Sequence, residues 1–154
     1  MFVADAMLGR LATWLRLLGI DTVYDPKLAA AGLIRRAFAE GRILLTRNRR
    51  LLRRRRLPPH LYIGANEFRG QLREVLDAFQ LDPYAQLSCR CSRCNEVLLT
   101  IDKRHVCDQV PPYVFATQST FSRCPACGRT YWAATHVEHM KAELARMKPM
   151  GGAL

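Results

Sequence analysis

The chain has 154 residues, 49% of them hydrophobic and 24% charged, with a formal net charge of +11. That length suffices for one ordinary domain, or for a small domain with a metal-stapled module. The charge points to nucleic acid or another acidic partner and is silent on fold. The sequence predicts neither a signal peptide nor a bilayer-spanning run, so a cytoplasmic protein is expected, in which six cysteines serve more readily as metal ligands than as disulfides.

In chain order, Phe2-Val3-Ala4 predicts a short strand ending at Asp5. Leu8, Leu11, Ala12, Leu15 and Leu18 then follow at helical spacing, and Gly19 closes that helix. Thr22-Val23-Tyr24 predicts a second strand. Asp25-Pro26 reads as a cap and first helical proline for a helix over about 28–40. Ile43-Leu44-Leu45 has the branched apolar character of a strand buried on both faces of a parallel sheet. A short arginine-rich helix follows, broken at Leu57-Pro58-Pro59. Leu61-Tyr62-Ile63 predicts the fourth strand. Asn66 is the expected cap of a last helix carrying Leu72, Val75, Leu76 and Phe79 on one face. Strand and helix alternate four times, the signature of a three-layer parallel α/β unit. Asp82-Pro83-Tyr84 marks a boundary, and residues 148–154 read as a frayed tail.

Seven of the ten residues from Arg47 to Arg56 are arginine. A solvated helix face is the ordinary use of a charge run. This one is single-signed and uses the side chain whose fork matches phosphate, so it favours a gripped polyanion beside the carboxyl end of a buried strand. The excess charge is spread over the chain: 15 Lys+Arg against 8 Asp+Glu over residues 1–87, and 9 against 5 over 88–154.

Cys91-x-x-Cys94 and Cys124-x-x-Cys127 form two knuckles whose thiolates can each face one point and together complete a tetrahedral zinc site. Asn95 and Gly128 follow the pairs and are the residue types that tolerate the left-handed turn a knuckle needs. With strands expected over 97–101 and 130–133, residues 83–147 read as a zinc ribbon with a C-terminal helix and a structural zinc. A redox or disulfide framework is the competing use. Cys89 and Cys107 are left over as semi-buried thiols, and His105, His136 and His139 read as surface or packing residues.

Asp5, Asp25 and Asn48 follow three successive strands. In a parallel sheet such positions converge on one rim, where oxygen ligands could hold magnesium or manganese for phosphodiester hydrolysis. Each also has a local use: Asp25 and Asn48 as helix caps, and Asp5 as a cap for the helix near Leu8.

Several segments together resemble a known family. They are Asp5-Ala6-Met7-Leu8-Gly9-Arg10-Leu11-Ala12-x-Trp14-Leu15-Arg16, Gly41-Arg42-Ile43-Leu44-Leu45-Thr46-Arg47-Asn48, Gln71-Leu72-Arg73-Glu74-Val75, Val110-Pro111-Pro112-Tyr113-Val114, and Cys124-Pro125-x-Cys127-Gly128 with Tyr131-Trp132. They are similar to the Mut-seven C-terminal RNase domain family over nearly the whole chain. That resemblance implies a PIN-like nuclease domain over 1–82 with an appended zinc ribbon, metal-dependent cleavage of RNA, and Asp5 as the first metal-binding acid. Leu28-Ala29-Ala30-Ala31-Gly32 departs from the acids that relatives place near the second helix, and Asn48 stands where they frequently carry Asp.

Two functions follow. In the first, Asp5 and Asp25 ligate magnesium or manganese and Asn48 orients water or a phosphate oxygen. Arg10, Arg47, Arg49, Arg50, Arg53 and Arg54 hold the RNA backbone, and the ribbon packs on the domain edge and extends the basic surface. In the second, the chain is a catalytically weakened or inactive PIN-like protein that binds RNA or associates with the ribosome.

Overall fold

Three-residue strands can hold a sheet together only if both faces are covered, and the apolar alternation here covers both. The computed structural model describes residues 1–132 and 134–147. The first half runs β1 (Phe2–Ala4), α1 (Gly9–Leu17), β2 (Thr22–Tyr24), α2 (Ala30–Ala39), β3 (Ile43–Thr46), α3 (Arg49–Leu52), β4 (His60–Tyr62) and α4 (Phe68–Ala78). The strands form one parallel sheet in the order β2-β1-β3-β4. Phe2, Ala4 and Leu45 face a core with Leu11, Leu15, Leu72 and Val75 of α1 and α4. Their neighbours Val3 and Leu44 face Leu33, Ile34 and Ala37 of α2, together with Leu51 of α3. The three-layer arrangement expected from strand–helix alternation is therefore present.

Two helix starts differ from expectation. α2 begins at Ala30 rather than near Leu28, and Asp25 caps only a turn, accepting from the Lys27 amide at 2.9 Å. α4 begins at Phe68 after Glu67, so Asn66 is not its cap. Asp25 is engaged by a local turn at Lys27, whereas the Asn66 side chain is taken by the distant Arg47 guanidinium.

The second half contains β5 (Leu99–Ile101), α5 (Pro112–Thr117), β6 (Phe121–Arg123), β7 (Thr130–Trp132) and α6 (Ala134–Arg146). β5, β6 and β7 form an antiparallel sheet in that order. β6 and α5 were not foreseen, because Phe121-Ser122-Arg123 is too short to show a period. A small core of Val106, Val110 and Phe121, flanked by Ile101 and Trp132, supports this sheet. The last helix belongs with the first half: Leu144 and Met147 join the α1/α4 core, and Glu143 receives Arg69 Nη2 at 2.7 Å. The side chain of His136 and the tail expected over 148–154 lie outside the described residues. No helix among the described residues is long and apolar enough to cross a membrane.

The linker is fastened at Gly19. The Ser88 amide donates to Leu17 O at 2.8 Å, and Gly19 has φ +81°. A Cβ there would stand 2.3 Å from the Gln86 carbonyl oxygen. Gly19→Ala is expected to lose about 1–2 kcal/mol from the backbone conformation alone, with the clash in addition. Urea unfolding checks this, and an unchanged midpoint would contradict it.

Candidate active site and four-cysteine centre

Parallel strands put all their carboxyl ends on one rim, and the register brings three of the expected residues there. Ala4 pairs with Tyr24 on one side and Leu45 on the other, so Asp5 emerges from an inner strand with Asp25 in the next position on β2. Asn48 lies two residues past Thr46, the end of β3. No hydrogen bond joins the three side chains directly; the Thr46 hydroxyl links Asp5 to the Asn48 amide, and the sheet register places Asp25 beside Asp5.

Asp5 is 7% exposed, and its carboxylate is heavily used. Oδ1 accepts from the Met7 amide at 2.9 Å, capping a 3-10 turn over Ala6–Leu8. Oδ2 accepts from the Thr46 hydroxyl and from the Arg47 amide, the latter at 2.9 Å. A carboxylate offers about four lone-pair positions, so one remains, on Oδ1. The Asn48 amide donates to Thr46 Oγ1 at 3.0 Å, while Asn48 Oδ1 accepts from the Arg50 and Leu51 amides at 3.0 and 3.2 Å. Asn48 is thus the cap of α3, as one of its two readings had it.

The arginines divide into held and free. Arg47 Nη2 donates to Asn66 Oδ1 at 2.6 Å, and Arg49 Nε donates to the Tyr62 hydroxyl at 3.0 Å. Arg10 lies 3.8 Å over the Phe68 ring, whose other neighbours include Trp14. Arg50, Arg53 and Arg54 are exposed. Among the described residues no carboxylate pairs with any arginine from Arg47 to Arg56. The arginine run is thus a cationic shelf without an ion-pair partner among the described residues.

Thr46, Tyr62 and Asn66 complete the rim and were not singled out for it. A threonine closing an apolar strand carries a signal nonetheless, because a fully buried hydroxyl must find a partner.

The cysteines form a second centre. The ligand atoms of Cys91, Cys94, Cys124 and Cys127 all lie within 4.8 Å of one another, and among the described residues they are the one group of three or more His, Cys, Asp or Glu so placed. Sulfur pairs at 3.2 to 3.6 Å are far beyond a bonded disulfide at about 2.05 Å. They approach the separation of about 3.8 Å across a tetrahedral zinc–thiolate site. The two knuckles repeat one another. Cys91 O accepts from the Asn95 amide and Cys124 O from the Gly128 amide, both at 2.9 Å, with φ of 73° at Asn95 and 70° at Gly128. The sequence expectation for these two positions holds.

Burial raises the Cys91 thiol, but hydrogen bonds from Tyr131 and from Cys94 outweigh it and bring it down to about 6. Burial, with hydrogen bonds to Cys124 and Cys91, pushes Cys94 up to about 12. A cation must displace that proton to recruit all four sulfurs. Cys89 is half-buried and Cys107 exposed, and neither joins the cluster.

The first knuckle docks on the amino ends of the strands. Arg16, 4% exposed, donates through Nε to Thr22 O at 2.8 Å and through Nη1 to Arg93 O at 2.7 Å and Ser92 O at 3.2 Å. Asn95 Oδ1 accepts from the Thr22 amide at 3.0 Å, and its Nδ2 donates to Asp21 Oδ1 at 2.7 Å. This docking point lies at the opposite end of the strands from Asp5, because the partners of Arg16 and Asn95 are Thr22 and Asp21, where β2 begins.

A family model described as the Mut7-C RNAse domain matches residues 1–144. No curated protein and no solved structure matches the chain.

Native mass spectrometry is expected to find a single metal ion per chain at neutral pH, released on acidification as protons reclaim the thiolates and absent from Cys124→Ser. A metal-free chain with an unaltered melting temperature would contradict this. Asp5→Asn is expected to cost about 1–3 kcal/mol, because the amide nitrogen cannot accept the bonds one carboxylate oxygen now takes. Asp25→Asn keeps its one acceptor and should unfold at the parent's midpoint, and equal losses in the two variants would refute the distinction.

Proposed function

The chain belongs to the Mut7-C RNAse domain family, and on that premise we propose that it is a metal-dependent ribonuclease working at the carboxyl rim. The observation that carries this reading is the pairing of buried Asp5, at the end of an inner strand, with an arginine run that no described carboxylate neutralises. RNA lies with its phosphates against Arg10, Arg47, Arg49, Arg50, Arg53 and Arg54. Such a surface grips backbone and carries little sequence information.

Asp5 and Asp25 are the residues that would hold magnesium or manganese. One open position on Asp5 Oδ1 and the lightly used carboxylate of Asp25 suit a single hard cation that keeps most of its water. When bound, that ion would lower the pKa of water and offset charge on the phosphate. Asn48 has its oxygen committed to the α3 cap, which leaves its Nδ2 to orient a phosphate oxygen.

We read residues 1–82 as a PIN-like domain and 83–147 as a zinc ribbon with its C-terminal helix, in a cytoplasmic protein. Zinc held by four thiolates keeps no open position and is structural.

A second reading is supported by the same carboxylate. With three donors already on Asp5, and the cysteines the one described group of three or more candidate ligands, the rim could bind RNA, alone or on the ribosome, without cutting it. The two readings separate on purified protein and single-stranded RNA. The nuclease reading predicts cleavage that requires Mg²⁺ or Mn²⁺ and is lost in Asp25→Asn while binding persists. Salt-sensitive binding with no metal-dependent turnover would establish the second reading and refute the first.

A further inference from the structure

The loop over residues 64–66, which follows β4, has no regular structure of its own, yet α4 holds four of its backbone groups. Glu74 accepts from the Gly64 amide through Oε2 at 2.9 Å and from the Ala65 amide through Oε1 at 2.8 Å. Gln71 Nε2 donates to Ala65 O at 3.1 Å and to Asn66 O at 3.2 Å. Residues three apart on a helix share a face, and this pair offers an acceptor and a donor to the two polar edges of a peptide. Gln71 is 6% exposed, so its side chain is shielded from water, while the bond from the Gly64 amide to Glu74 lies at the surface. The helix comes close enough that a Cβ on Gly70 would stand 2.8 Å from that of Ala65.

The held loop leads directly to the rim. Asn66, released from capping duty, accepts Arg47 Nη2 at 2.6 Å, and the Arg47 amide donates to Asp5 Oδ2 at 2.9 Å. A hydrogen-bonded path therefore runs from α4 through the loop to the guanidinium of Arg47, the residue whose own backbone amide bonds Asp5. We propose that Gln71 and Glu74 are positioning residues, which fix the 64–66 loop so that Asn66 presents the Arg47 guanidinium to an RNA phosphate beside Asp5. The inference rests on the rim being the RNA-binding face.

Charge gives the test its sign. Glu74→Gln removes one negative charge, so electrostatics alone would tighten binding to a polyanion. It also replaces an acceptor of one loop amide by an NH₂ donor, so positioning alone would weaken it. Affinity for a single-stranded oligouridylate is measured by fluorescence anisotropy across a salt series, without added divalent ions, for the parent, Glu74→Gln, Arg47→Ala and the double variant. Glu74→Gln is expected to bind about three- to tenfold more weakly, the worth of one hydrogen bond. Arg47→Ala should lower the slope of log affinity against log salt by about 1. The double variant should be no weaker than Arg47→Ala to within about twofold, since coupled residues are non-additive.

Tighter binding by Glu74→Gln, or additive losses in the double variant, would overturn the inference and leave the rim reading standing. An Arg47→Ala variant with parental affinity and slope would overturn both. Should Glu74→Gln fail to fold, Gln71→Met removes the two donations at similar volume and no change of charge. Weaker binding then supports the inference, and parental binding overturns it.

Discussion

One buried carboxylate ties the carboxyl ends of the inner strands together. Asp5 leaves β1, an inner strand, and binds the turn that starts α1, the hydroxyl that ends β3 and the first amide of the arginine run. A carboxylate taken from water is costly unless it is well supplied with donors. Three donors meet that cost here, and in meeting it they fix where the chain goes next. The Asn48 amide donates to the same Thr46 hydroxyl while its side chain caps α3, so the start of the helix carrying Arg49 and Arg50 is tied to Asp5 through Thr46.

The opposite end of the sheet is organised by an inverse arrangement, in which one buried cation gathers oxygens. Arg16 reaches from α1 to carbonyls of β2 and of the first cysteine knuckle. Burial lowers its pKa, and the neighbouring Cys91 and Cys94 oppose that shift. Asp21, Asn95 and Arg42 extend the network to the start of β1, where Arg42 Nη1 meets Phe2 O at 3.2 Å. The four-cysteine centre therefore secures the amino ends of the strands and leaves the carboxyl ends to the rim. α6 completes the α1/α4 layer through Leu144, so the second half of the chain braces the first at two separate places.

Much of this was legible because strong local signals agreed with the tertiary outcome. Ile43-Leu44-Leu45 is apolar on both sides, and both sides are buried. Cys-x-x-Cys followed by Asn95 or Gly128 demanded a left-handed residue, and each has one. Two helix caps were misplaced because Asp25 and Asn66 have local signals no different from true caps. What distinguishes them is the turn amide of Lys27 and the guanidinium of Arg47, and a contact across 19 residues has no signature in a window of ten. The docking of the knuckle on the amino ends was invisible for the same reason: Arg16 lies 77 positions from its partner Arg93. Gln71 and Glu74 stood out as part of a motif, and only the course of the loop after β4 gives them a task.

The rim account turns on the single acceptor position left on Asp5. A crystal soaked in Mn²⁺ and measured for anomalous scattering addresses it directly. The account predicts one manganese peak at the carboxyl rim, ligated by Oδ1 of Asp5 rather than Oδ2, with Asp25 on its other side. A rim without a peak under full occupancy of the soak, or an ion bound away from Asp5, would contradict it.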